Sequence, residues 1–190
     1  MIFLFLILFI SNNSYSNEFF FKTLADSAFT LTYQKVIYDP SYTVISYPYG
    51  DVAPNKGVCS DVIIRAYRKL GIDLQKEVHE DMKNNFKLYP KIWGLKKPDK
   101  NIDHRRVPNL MKFFERKGTI KKITFNPQNY TRGDIVCWSL GDGITHIGLV
   151  SNIKVKNKNR YYMIHNIGNG QVLEDCLFDY KIIGHYCYKK

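Results

Sequence analysis

The hydrophobic pattern of this chain changes period once, and that change restricts the folds open to it. Up to about residue 118 the apolar residues recur at helical spacing. Val62, Ala66 and Leu70 repeat along one stripe, Ile63 and Tyr67 widen it, and Gly71 supplies a stop. Leu74, Val78, Met82 and Phe86 make a second stripe, and Pro108 and Gly118 bracket a third around Leu110, Met111, Phe113 and Phe114. Glu18 to Val36 reads as an N-terminal helix. Later segments read as strands: Asp134–Leu140, Ile147–Asn152, Tyr161–Asn166 and Ile182–Tyr188, with a charged hairpin loop from Lys154 to Asn159. Helices followed by consecutive strands predict an α+β fold with an antiparallel sheet. The 190 residues, 45% hydrophobic and 15% aromatic, are enough for a single core.

Within this order Cys59 stands out. It follows the turn-rich stretch Tyr47 to Val58 and opens the first of the three stripes. The first turn of a helix carries unpaired N–H groups and the positive end of the dipole. A thiol there is expected to have a lowered pKa, and to alkylate at lower pH than an ordinary cysteine. The same N–H groups can later hold an oxyanion. A buried cysteine that only fills the core is the competing reading. His146 at a strand entry and His165 near the end of the next strand favour chemistry. A thiol hydrolase needs one imidazole to take the thiol proton and a further polar group to orient it. Asn166 is the rival third member, and strand alternation turns neighbours to opposite faces, so His165 and Asn166 are not expected to share the site.

The run Tyr47-Pro48-Tyr49-Gly50 with Pro54, Gly57 and Cys59-Ser60 resembles the nucleophile segment of NlpC/P60 cell-wall peptidases. Gly133-Asp134-Ile135-Val136, followed by Thr145-His146-Ile147-Gly148-Leu149-Val150, resembles their second block. From about Tyr38 to Tyr188 the chain resembles the DUF1287 family more closely. The matching stretches include Tyr38-Asp39-Pro40-Ser41-Tyr42, Gly57-Val58-Cys59-Ser60-Asp61, Tyr89-Pro90-Lys91-Ile92-Trp93-Gly94-Leu95, Asn101 to Leu110 and His165-Asn166-Ile167-Gly168. The resemblance implies a papain-like fold of NlpC/P60 type, with Cys59 as nucleophile and His146 as base. His165 would orient that base. It also implies a site-lining aromatic near Tyr47 and Tyr49, with Tyr47 the better match.

Other polar groups have two readings each. Asp61 suits the helix dipole, as a structural carboxylate or as a binder of a substrate amine. Asp103-His104-Arg105-Arg106 could grip a substrate carboxylate or phosphate, or could pin the Tyr89–Val107 segment through ion pairs. His79-Glu80-Asp81 reads as a solvated helix face. No Cys-x-x-Cys or His-x-x-x-His pair marks a zinc site, and neither metal nor cofactor is expected.

The apolar run Ile2 to Ile10 is too short to span a bilayer, which takes ~20 residues, and matches a signal-peptide core with Ser14-Tyr15-Ser16 as cleavage site. No Lys or Arg precedes it. Residues 17–190 then form one catalytic domain in the periplasm or outside the cell. With 28 Lys and Arg against 17 Asp and Glu, the net charge of +11 favours an anionic envelope polymer such as peptidoglycan. The basic residues are dispersed and follow no nucleic-acid motif. Cys176 and Cys187 could close one disulfide; free thiols are equally compatible. The expected function is a secreted cysteine hydrolase cleaving an amide bond in cell-wall peptide. The alternatives are a non-catalytic basic envelope-binding module and a thiol-dependent acyltransferase.

Overall fold

The structure, a computed structural model, describes residues 2–190, with side chains from residue 15 onward. Of the leader read at residues 1–16, residue 1 and the side chains up to residue 14 therefore lie outside what is described. Among the described residues there are four α-helices: α1 (Ile2–Leu31), α2 (Cys59–Lys69), α3 (Leu74–Asn85) and α4 (Val107–Lys117). No helix among them is long and apolar enough to cross a membrane. Two short strands, β1 (Ile37–Tyr38) and β2 (Lys56–Gly57), pair in parallel. Six more follow: β3 (Thr119–Ile120), β4 (Ile135–Gly141), β5 (Ile144–Lys154), β6 (Tyr161–His165), β7 (Val172–Glu174) and β8 (Lys181–Cys187). They form one antiparallel sheet in the order β3-β8-β4-β5-β6-β7. The α+β class expected from the change of period is the class observed.

Strand alternation divides the sheet into two working faces. Ile135 and Cys137 of β4, Ile147 and Leu149 of β5, and Ile164 of β6 pack with Val62, Ile63, Leu110 and Phe114 in the larger core. Val136 and Trp138, Val150 and Met163 occupy the opposite face with Tyr130, Cys176 and Leu177. Fully burying one such aliphatic side chain stabilises the fold by about 1.5–3 kcal/mol. The two faces thus hold the sheet rigid around whatever its ends present.

Several elements differ from the sequence expectation, and the helix expected from Glu18 already begins at Ile2. α1 ends at Leu31, not Val36, because Thr30 and Thr32 donate their hydroxyls back to the Ser27 and Phe29 carbonyls, and Gln171 Nε2 donates to the Leu31 carbonyl. β5 begins at Ile144, so His146 lies inside a strand and not at its entry. β1, β2, β3 and β7 have two or three residues each, too few for alternation to register.

Candidate functional site

The start of α2 is held by charge. Extended Val58 precedes the helix, and Asp61 accepts the Val58 N–H at 2.7 Å, one half of a capping box. The same carboxylate receives a bidentate pair from Arg105, at 2.9 and 3.0 Å, with both side chains buried. Arg105 also donates to the Asp39 and Ser41 carbonyls, and Ser60 Oγ donates to the Arg105 carbonyl at 2.7 Å. Upstream, Gly50 approaches the Ser46 carbonyl so closely that a Cβ would sit 1.9 Å from its oxygen. Its N–H is taken by Gln75 Oε1, and Arg65 and Arg68 clamp Asp51. The turn-rich segment before Cys59 is therefore a fixed strap.

This scaffold surrounds the Cys59 thiol with backbone of Cys59, Ser60 and Ile147, the residue after His146, whose N–H groups favour the thiolate. Burial nevertheless pushes the thiol up to about 11; the three N–H groups pull the other way, and Asp61 adds to the rise. The lowered pKa expected from the helix start is thus overturned by desolvation, the side chain being 5% exposed. Among the described residues no hydrogen bond joins Cys59 to His146.

His146 and His165 do meet. His146 Nε2 lies 2.9 Å from His165 Nδ1, and the rings cross edge to face. His165 Nε2 lies 2.9 Å from Glu174 Oε2 and 3.4 Å from Cys176 Sγ. His146 stacks on Trp138, which is fixed by its own N–H bond to the Leu177 carbonyl. Gly148 makes this packing possible, since a Cβ there would lie 3.0 Å from the Trp138 ring and 3.2 Å from His165 Cβ. Burial pushes His146 down to about 3, helped by His165, and burial also lowers His165 against the pull of Glu174. Both imidazoles are neutral at pH 7.

The hydrogen positions then follow from chemistry. A carboxylate only accepts, so His165 carries its proton on Nε2 and presents a lone pair at Nδ1. That lone pair accepts from His146 Nε2–H, and Nδ1 of His146 is left as the basic nitrogen. Asn166 serves the scaffold instead. Its Nδ2 donates to the Gly57 carbonyl and its Oδ1 accepts from Gly168 N–H, tying the end of β6 to the strap before Cys59. Of the two candidates, only His165 contacts His146.

A cavity of about 390 Å³ opens beside the thiol, lined by Tyr38, Tyr42, Trp93, Arg106 and Thr145 among others. Tyr47 and Tyr49 are not part of its lining. Tyr47 bonds Glu80 and packs on His79, and Tyr49 is an exposed turn residue whose N–H is held by Asp73. Asp61 and most of Arg105 are committed to each other, so neither holds an uncompensated charge for a substrate amine or carboxylate in this arrangement. His104 is buried with Nδ1 unpartnered and is pushed by burial down to about 3. Arg105 and Arg106 of this cluster both line the cavity, and Arg106 lays its guanidinium on the Trp93 ring, 4.2 Å from the centroid, with a longer 3.4 Å contact to Asp103. The four cysteines are all free, so Cys176 and Cys187 form no bridge. Glu174 was missed because the signal that would have found it, a carboxylate facing a strand histidine, exists only once β6 and β7 pair.

An α+β domain with a helix-borne cysteine beside a strand-borne histidine pair is the class these observations define. The chain belongs to the family described as a domain of unknown function, DUF1287, whose model matches residues 25–188. It is 49% identical over 165 residues to a protein named Uncharacterized protein YijF from Escherichia coli (strain K12), covering 87% of this chain and 80% of that one. No solved structure matches it.

Proposed function

We propose that this protein is a cysteine hydrolase of the papain-like, NlpC/P60 type that acts outside the cytoplasm on an amide bond of cell-wall peptide. The observation that carries the reading is the hydrogen-bonded order His146–His165–Glu174, which leaves His146 Nδ1 basic beside the segment that touches the Cys59 thiol. In this mechanism His146 Nδ1 takes the Cys59 proton and the sulfur attacks the substrate carbonyl. Both charges form together and attract each other in the buried site, which offsets the cost of ionising either one alone. The N–H groups of Cys59 and Ser60 are positioned to meet the oxyanion. His146 then gives its proton to the departing amine, leaving a thioester, and water activated by His146 releases the acid. An amine or alcohol in place of that water would give acyl transfer by the same residues.

The cavity walls favour a ligand with a flat or sugar-like face and an anionic group, through Tyr38, Tyr42, Trp93 and Arg106. The +11 charge supports an anionic envelope as the setting. The burial of the resting thiol favours the binding-module alternative, and one experiment separates the two. Purified protein incubated with sacculi should release muropeptides detectable by mass spectrometry. Cys59→Ala should abolish release while leaving the circular dichroism spectrum unchanged, and His165→Ala should reduce it more than Asn166→Ala. Undiminished release by Cys59→Ala would sink the thiol mechanism, and no release from any sacculus would favour the binding module.

A further inference from the structure

His165, Glu174 and Cys176 each offer one ligand atom, and the three atoms lie within 4.8 Å of one another. Two of the separations, 2.9 Å to the carboxylate oxygen and 3.4 Å to the sulfur, are measured from the same nitrogen, His165 Nε2. Tetrahedral zinc, with bonds of about 2.0–2.3 Å, holds its ligand atoms roughly 3.3–3.8 Å apart. The cluster therefore needs only a small adjustment to close around such an ion. Imidazole, thiolate and carboxylate also form a ligand set suited to a borderline-soft divalent cation and poor for calcium or magnesium. His165 and Cys176 are buried, whereas the Glu174 side chain is 53% exposed, so the cluster meets solvent through the carboxylate.

We propose that His165, Glu174 and Cys176 form a binding site for a zinc-class divalent cation, and that occupancy switches off the base at His146. The switch follows from proton positions and rests on the proposed thiol mechanism. A metal on His165 Nε2 needs that nitrogen's lone pair, so the imidazole proton must reside on Nδ1. His165 Nδ1–H then donates to His146 Nε2, reversing the bond between the rings, and the single proton of His146 moves to Nδ1. The nitrogen that would take the Cys59 proton now carries one of its own. Each ring keeps one proton, and the Cys176 thiol proton leaves to solvent as the sulfur binds.

Titration of the full chain with Co²⁺ or Zn²⁺ alone tests both parts. Co²⁺ should bind at one equivalent with a sulfur-to-metal charge-transfer band, kept in Cys59→Ala and lost in Cys176→Ser. Glu174→Gln, a change of nearly equal size at an exposed position, should weaken Zn²⁺ binding by about tenfold or more. Iodoacetamide labelling of Cys59, read on its own peptide, should slow severalfold with Zn²⁺ in the native chain and far less in Glu174→Gln. Absence of stoichiometric binding, or a band that follows Cys59 instead of Cys176, overturns the site. Binding through Cys176 with Cys59 labelling unchanged overturns the switch. A chain that binds Co²⁺ through Cys176 yet releases no muropeptide even after chelation refutes the hydrolase and leaves the metal site standing.

Discussion

Cys59 is acted on by opposing influences whose balance sets its reactivity. Three backbone N–H groups favour the thiolate, but burial and Asp61 oppose it, and the thiol ends near 11 with His146 near 3. The resting pair is therefore neutral, and in the proposed mechanism the proton moves only when substrate engages the site. Iodoacetamide labelling of Cys59 in the free protein should accordingly rise only above the range of an ordinary thiol, ~8.5. A labelling profile that inflects below about 7 would mean that a thiolate–imidazolium pair exists at rest. The sequence placed Cys59 at a helix start, because a stripe and a stop are local patterns. It could not supply the burial, which comes from β4 and β5 packing on α2. The same limit explains Tyr47: its motif marks the strap, while the residues that line the cavity, Tyr38, Tyr42 and Trp93, come from segments that meet only in the fold.

At the scale of elements, the N-terminus of α2 and the turn at Asp103–Arg105 act as one unit. The buried Asp61–Arg105 pair, separated by 44 positions in the chain, joins them, and Ser60 adds a third bond. Removing one partner of a buried pair leaves the other charge uncompensated, typically at about 3–5 kcal/mol. Arg105→Met should therefore lower the unfolding free energy by that amount in urea titrations. The double variant Asp61→Asn with Arg105→Met should recover part of it. Loss below about 1 kcal/mol in the single variant would show that water reaches the pair. Such pairing was invisible beforehand because a carboxylate and a guanidinium look alike in sequence whether they hold a substrate or each other. Helices and the four longer strands were legible, since they exceed one period of their pattern. β7 was not, and with it went Glu174, the carboxylate that sets the tautomers of both histidines.

For the molecule as a whole, buried neutral histidines tie stability to pH. His146 and His104 are each held near 3, below the unfolded value of ~6.5. Their contribution is fully present above that value and is lost as pH falls toward 3, because the unfolded chain takes up protons the folded chain refuses. Asp103 works in the opposite sense. Burial raises it to about 6, so its folded form holds a proton more firmly, and its contribution is present below ~3.8 and lost as pH rises through 6. His146 and His104, with His165 lowered in the same sense, outweigh Asp103 and leave a net loss on acidification that steepens below ~3.8, once Asp103 is protonated in both states. At the alkaline end Cys59 is lost as a contributor between ~9 and about 11. Thermal unfolding should therefore be most resistant between about pH 6.5 and 9 and fall progressively at pH 5 and pH 4. His104→Leu, which removes one of these buried imidazoles, should flatten the acid limb even if it shifts the curve as a whole. Equal melting temperatures at pH 7 and pH 4 would mean that His146 and His104 are charged or solvated in the folded protein. The formal charge of +11 counts histidine as neutral. Acid therefore adds these two positive charges chiefly by unfolding the chain, so these two histidines add nothing to the folded protein's attraction for polyanions across the range in which it is stable.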